Sequence, residues 1–211
     1  MAAAKIALLL VAAIGCSAAP APEECQGLAK RLPSKNLHKI YGEWVLIWSV
    51  TDFHTGQYLL GNLTSSHVEY KLLADNKTIE YIERNKFSDS CTIYFMNLTI
   101  PSDDAEHHTL ATQSVRVEKN GVEINFNETG NVEFYESCDD CLLMTYKSPT
   151  MNFLLSYRRE GSHQDVKQHQ ADHDDLKKMA ECLGVPHDKP YTYDGVADFC
   201  HKKSAPEAIQ S

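Results

Sequence analysis

The sequence predicts an all-β fold of short antiparallel strands, an up-and-down barrel or a sandwich, followed by one amphipathic helix. Nine segments rich in Val, Ile, Thr, Tyr and Phe succeed one another between residues 42 and 157, and turn residues separate them. Several alternate a wet and a dry face with the two-residue period of a strand, as Val68, Tyr70 and Leu72 do against His67, Glu69 and Lys71. Past Arg159 the rhythm becomes helical.

The strands are expected at 42–50, 66–73, 78–87, 92–100, 112–118, 122–126, 132–136, 142–146 and 152–157. Ala74-Asp75-Asn76, Asn120-Gly121, Thr129-Gly130, Asp139-Asp140 and Ser148-Pro149 supply turns between them. A polar stretch over 161–175 leads into Leu176, Met179, Ala180 and Leu183, whose helical spacing stops before Gly184 and Pro186. Asp172 is expected to cap this helix, with Asp175 at its third position opposing the dipole.

With 211 residues, 43% of them hydrophobic and 23% charged, the chain can bury one sizeable core and is short for two. Twenty basic residues against 29 acidic ones give a net charge of -9, which repels phosphate backbones and excludes nucleic acid as a partner. Lys5, an apolar run over 6–14 and the small residues Gly15, Ser17, Ala18 and Ala19 read as a secretory signal peptide over residues 1–18. That run is shorter than the roughly 20 residues that span a bilayer, so no transmembrane anchor is expected. Removing it would leave 19 basic residues against 29, a net charge of -10.

Of seven cysteines, Cys16 lies in the signal segment, and the other six form an even set suited to an oxidising compartment. Six cysteines allow 15 pairings, among which spacing does not choose. Cys138-Asp-Asp-Cys141 has the spacing of a dithiol redox motif, but its two aspartates raise a thiol pKa, which favours a structural clip across a hairpin turn. Four acceptor motifs, at Asn62, Asn76, Asn97 and Asn127, add the expectation of N-linked glycans.

Gly42-Glu43-Trp44 matches the Gly-x-Trp opening of the first barrel strand in the lipocalins, and Phe153-Leu-Leu-Ser-Tyr-Arg158 is similar to that family's last strand. Ser137-Cys138-Asp139-Asp140-Cys141 stands where most lipocalins carry Thr-Asp-Tyr. The chain therefore resembles the outlier members, the group of alpha-1-acid glycoprotein, apolipoprotein M and the fish plasma toxin- and organotin-binding lipocalins. Residues 36–50, 90–98, Ala180-Glu-Cys-Leu-Gly-Val-Pro186 and Tyr191-Thr-Tyr-Asp carry the likeness, which covers roughly residues 25–200.

The resemblance implies an eight-stranded up-and-down antiparallel barrel with one C-terminal helix packed outside. It implies structural roles for Gly42, for Trp44 at the barrel floor, and for Arg158 stacked on that indole, with Arg159 as the alternative. It also implies the disulfides Cys25–Cys182 and Cys91–Cys200, leaving Cys138 with Cys141. Since eight strands make the barrel, 112–118 is either a continuation of the fourth strand or one arm of an enlarged hairpin at Asn120-Gly121. The resulting organisation is an N-terminal coil over 19–41, the barrel over 42–160, a helix and disulfide-tethered return over 161–200, and a flexible tail over 201–211.

An eight-stranded barrel has room for one small ligand inside. A glycosylated Asn97 faces out, which turns Tyr94, Met96 and Leu98 inward. Trp44 implies inward Leu46 and Trp48, and the same alternation selects Val68, Tyr70 and Leu72, then Met144 and Tyr146. Glu80 or Glu83 is placed to add an inward carboxylate. The expected protein is a monomeric, secreted plasma glycoprotein that carries a small hydrophobic or cationic-amphipathic ligand: a lipid, steroid, toxin or xenobiotic. No cofactor and no metal are expected. His163, His169 and His173 read as a solvated polar face, as do His107 and His108 in their acidic loop. No nucleophile elbow, zinc-protease helix or phosphate loop is visible. The alternatives are an immune or acute-phase modulator acting through protein partners and, more remotely, an isomerase with a buried cysteine nucleophile.

Overall fold

The computed structural model describes residues 20–202; the expected signal peptide and residues 203–211 lie outside them. All nine expected segments form strands: β1 (Gly42–Thr51), β2 (Leu63–Leu72), β3 (Thr78–Phe87), β4 (Ser90–Thr99), β5 (Thr109–Lys119), β6 (Val122–Ile124), β7 (Asn131–Tyr135), β8 (Cys141–Lys147) and β9 (Asn152–Arg159). A two-residue β10 (Tyr191–Thr192) follows near the C-terminus. Antiparallel pairing runs β1-β2-β3-β4-β5-β7-β8-β9, and β9 returns to β1, so eight strands close into a barrel. The ninth segment is β6, a short arm paired only with β5. Residues 112–118 thus belong to a full barrel strand. Asn120 and Gly121 both adopt positive φ, 51° and 80°, the backbone that a tight hairpin turn demands.

Helical segments appear where coil was expected before the barrel: α1 (Pro22–Leu28) and a 3-10 helix over Ser34–Ile40. The β1–β2 connection also coils, into α2 (His54–Asn62), which the strand-based reading leaves out. The long helix, α3 (Val166–Cys182), starts earlier than expected, and Asp165 rather than Asp172 caps it by accepting from the Gln168 amide at 3.1 Å. Asp172 lies inside α3 and pairs with Arg158. The helix ends as its sequence indicates, with Gly184 in the left-handed region at φ 69°.

Two apolar clusters flank β1. One fills the barrel interior and includes Trp44, Leu46, Tyr70, Leu98, Met144 and Tyr157. The other lies outside, where Leu176, Met179 and Ala180 of α3 pack on Ile47, Trp48, Leu143 and Leu154. The switch of face along β1 comes from a bulge: its register with β9 slips by one between Leu46 and Trp48. The slip carries Trp48 to the outer cluster, which corrects its expected place on the cavity wall.

At the barrel floor Trp44 is buried, its indole N–H donates to Ile40 O at 2.8 Å, and a guanidinium covers its face at 4.0 Å. That guanidinium belongs to Arg159, not Arg158. The period of two explains the correction, because Leu155 and Tyr157 of β9 join the interior cluster and Arg159 continues their row. Arg158 points the other way, toward Asp172 on α3 and the Cys138 sulfur. Gly42 is required here, since its φ is 112° and a Cβ would lie 3.0 Å from Arg159 Nη1. All three disulfides implied by the family resemblance are present: Cys25–Cys182, Cys91–Cys200 and Cys138–Cys141.

Outside the β1–β2 pair, His67 is wholly buried beneath the C-terminal return, with its ring 6.0 Å from Phe199 and 4.5 Å from His201. Burial, reinforced by His201 and Lys202, pushes its pKa down to about 3. The 2.8 Å contact from Nε2 to Glu160 is therefore a hydrogen bond donated by a neutral imidazole rather than an ion pair.

Replacing Arg159 with Ala is expected to lower stability by about 0.5–2 kcal/mol in urea unfolding and to shift tryptophan emission. Arg158→Ala should leave the Trp44 environment unchanged; equal emission shifts in both variants would contradict the stacking assignment. For His67 the folded pKa lies below the unfolded value, so its stabilising contribution is complete above about pH 6.5 and lost as pH falls toward 3. The parent should thus lose more Tm than His67→Gln between about pH 7 and pH 4. Parallel pH profiles would refute this.

Candidate functional site

The barrel holds a cavity of about 100 Å³. Its walls are mainly apolar, formed by Leu46, Met96, Leu98, Val132, Met144 and Leu155. Toward the mouth Phe87, Phe126, Met151 and Phe153 join them, and Leu59, Leu60 and Leu63 reach in from α2 and the start of β2. Helix α2 therefore covers the end of the barrel opposite Trp44. It sits close, because a Cβ on Gly56 would fall 2.6 Å from Thr51 Oγ1 and 3.0 Å from the Phe153 ring.

Polar groups are few and gather on one side. Tyr81, Glu83 and Asn85 alternate along β3, so all three face the cavity. Tyr81 OH donates to Glu83 Oε2 at 2.8 Å, and Asn85 Nδ2 donates to Oε1 at 2.6 Å. Burial raises the Glu83 carboxyl above its ordinary range, while these two donors hold it back toward the ionised form. Tyr70, Tyr94 and Tyr146 complete the phenolic lining. Burial pushes Tyr70 and Tyr81 well above the usual phenol range and Tyr146 up to about 12, so these hydroxyls stay protonated at physiological pH. Tyr70 OH spends its proton on Met144 Sδ at 2.9 Å, and its ring lies 4.7 Å from that of Tyr81. Tyr94 meets Phe126 edge to face at 5.8 Å.

Of the residues expected on the cavity wall, Leu46, Tyr70, Tyr94, Met96, Leu98, Met144 and Tyr146 line it. Trp48, Val68 and Leu72 do not. Val68, opposite Trp44 in the β1–β2 register, is buried in the interior cluster, and Leu72 packs against that cluster at the strand's end. Of the two carboxylates considered, Glu83 faces inward and Glu80 is not among the lining residues. Sequence reasoning passed over Phe153 and Leu155, although the same alternation through Tyr157 selects them, and passed over the α2 leucines entirely. Among the glycan acceptors Asn62, Asn76 and Asn127 are exposed and Asn97 is half-buried between the inward Met96 and Leu98.

Two of the histidines expected on a solvated face depart from it, while His107, His108 and His173 are half-buried. His163 and His169 are buried, and His163 packs its ring near Phe199 at 5.7 Å. Among the described residues, the cluster of three groups able to hold a metal is instead Glu43, His67 and Glu160. No helix among the described residues is long and apolar enough to cross a membrane.

A closed eight-stranded antiparallel barrel, a Trp floor under an Arg, and an outer C-terminal helix define the lipocalin fold. Solved lipocalins agree: lipocalin 12 from rat epididymis matches with TM-score 0.56 at 14% identity, covering 80% of this chain and 90% of that one. The siderocalin Ex-FABP matches with TM-score 0.54 at 12% identity, covering 74% and 93%. No protein-family profile matches the sequence. Within the fold the chain is related to two curated proteins from Takifugu pardalis, saxitoxin and tetrodotoxin-binding proteins 1 and 2, at 45% identity over 203 residues. That alignment takes in 96% of this chain and 51% of each relative, so the chain spans about half the length of the relatives it matches.

Gly56→Ala is expected to cost about 1–3 kcal/mol in chemical unfolding by forcing α2 off Thr51 and Phe153. Gly61→Ala on the same helix meets nothing within 4 Å and should be neutral or mildly stabilising. The reverse order would show that α2 does not seat on the barrel as described.

Proposed function

We propose that the protein is a secreted carrier that binds a small hydrophobic or cationic-amphipathic ligand inside the barrel. One observation carries the reading: a cup lined by aliphatic and aromatic side chains holds a single carboxylate, Glu83, presented by two neutral donors. An apolar wall rewards burial of a hydrophobic body. A lone carboxylate in that low-dielectric setting rewards a positive charge, since an interior charge finds its best partner in an opposite one. The kinship with proteins named for binding saxitoxin and tetrodotoxin supports a small-molecule role.

Three disulfides fit an oxidising, extracellular setting, and the glycan acceptors fit a secretory route. The isomerase alternative requires a free thiol in the cup, whereas the six cysteines among the described residues are all paired. A monomer suffices for this reading, because the cavity is built from one chain.

Calorimetric titration with a hydrophobic amine, tetrodotoxin, tributyltin, a steroid and a fatty acid tests the proposal. Saturable binding of a cationic member is expected, with Glu83→Gln weakening it about tenfold or more and leaving neutral ligands little changed. Absence of binding across the panel, with an empty barrel in native mass spectrometry, would refute the carrier reading. Equal weakening of cationic and neutral ligands would refute the role given to Glu83.

A further inference from the structure

On the outer wall, β9, β1 and β2 lie side by side and bring three metal-ligating groups to one point. Glu43 comes from β1, His67 from β2 and Glu160 from the residue after β9. The Glu160 amide donates to Glu43 O at 3.0 Å, which fixes the two glutamates as neighbours. One donor atom from each of the three residues lies within 4.8 Å of the others. His67 Nε2 is 2.8 Å from Glu160 Oε2, and its buried Nδ1 has no hydrogen-bond partner among the described residues.

We propose that Glu43, His67 and Glu160 form a binding site for a divalent transition-metal ion of the zinc type, separate from the ligand cavity. One imidazole and two carboxylates supply three N/O donors, the set that a borderline divalent ion accepts at about 2.0–2.2 Å with a fourth position free. A positive group already occupies part of the cluster: the Lys202 ammonium pairs with Glu160. A metal ion would have to replace it. His201, whose ring centre lies 4.5 Å from that of His67, borders the cluster on the same return but is not one of its three donors. Because Cys91–Cys200 tethers the return one residue earlier, an ion here would clasp the end of the described chain to the barrel. None of these residues lines the cavity, so the site does not depend on the carrier reading.

Titration of the chelator-stripped, folded protein with Zn²⁺ alone, followed by calorimetry, tests the site. One saturable equivalent is expected, and Glu43→Gln and Glu160→Gln should each weaken it about tenfold or more. Lys202→Ala should tighten it by removing the competing ammonium. The visible spectrum of bound Co²⁺ should be that of a four-coordinate N/O site and should be lost in Glu160→Gln. Glu43 is exposed, so Glu43→Gln should melt like the parent without metal, whereas Glu160→Gln also removes the charge that pairs with Lys202. Failure to bind zinc below about 100 µM, or binding that both Glu→Gln variants leave intact, would overturn the proposal.

Discussion

Strand β1 has to satisfy its backbone on two edges while its neighbours change along its length. On one edge β9 pairs with it from Trp44 to Thr51. On the other, β2 pairs only from Gly42 to Val45, and β10 takes over at Trp48 and Ser49. Unpaired amides in a buried strand are costly, so the seam where β2 leaves β1 must be filled. The C-terminal return fills it: Tyr193 N donates to Ile47 O at 3.0 Å, Tyr191 OH to Thr64 O at 3.2 Å, and Ser65 Oγ to Asp198 O at 2.7 Å. The bulge at Leu46 and Trp48 sits at this change of partner. It lets β1 face the cavity below and α3 above, and eight consecutive residues of the strand, Trp44 to Thr51, are accordingly buried.

The cavity follows from the same arrangement. With the floor sealed by Trp44 and Arg159 and the outer faces of β1, β8 and β9 covered by α3, ligand access is left to the α2 end. The interior then has to choose between filling and space. Long side chains fill the lower part, where Tyr70, Tyr81 and Phe134 pack ring against ring. Nearer the mouth the wall is made of flexible or planar groups, Met151, Phe87, Phe126 and Phe153, which can rearrange around a guest. Glu83 lies among the aromatic side chains, with both its oxygens already hydrogen-bonded.

Strand existence was legible because alternation survives wherever a strand keeps one wet and one dry face. Tyr94, Met96 and Leu98 follow from that rule once the glycan acceptor Asn97 is turned outward, and Met144 with Tyr146 from the rule itself. Trp48 was misplaced because a bulge shifts the alternation by one residue and leaves no mark in a strand that is apolar on both faces. Arg158 and Arg159 are adjacent, so an uncertainty of one residue exchanged the floor contact for the α3 contact. Helix α2 was illegible for another reason. Its nine residues carry two glycines and a polar start, and only Gly56 against Thr51 and the inward leucines give it a place. The disulfide pairing came from family likeness, since 15 arrangements satisfy the spacing equally.

What the barrel does not bury, the covalent links retain. Helix α1 has no buried residue, yet Cys25–Cys182 fixes it to the end of α3 across a separation of 157 residues. In the chain-entropy view a loop that long restricts the unfolded chain by about 4–5 kcal/mol, more than a surface ion pair such as Lys178 with Glu24 can add. Cys91–Cys200 acts in the same way on the return that closes the β1–β2 seam, over a separation of 109 residues. Two terminal arms with little core of their own are thereby tied to the barrel. The hydrogen bonds along the seam then only have to position the return, which lays His201 beside His67 and Lys202 beside Glu160 on the outer wall.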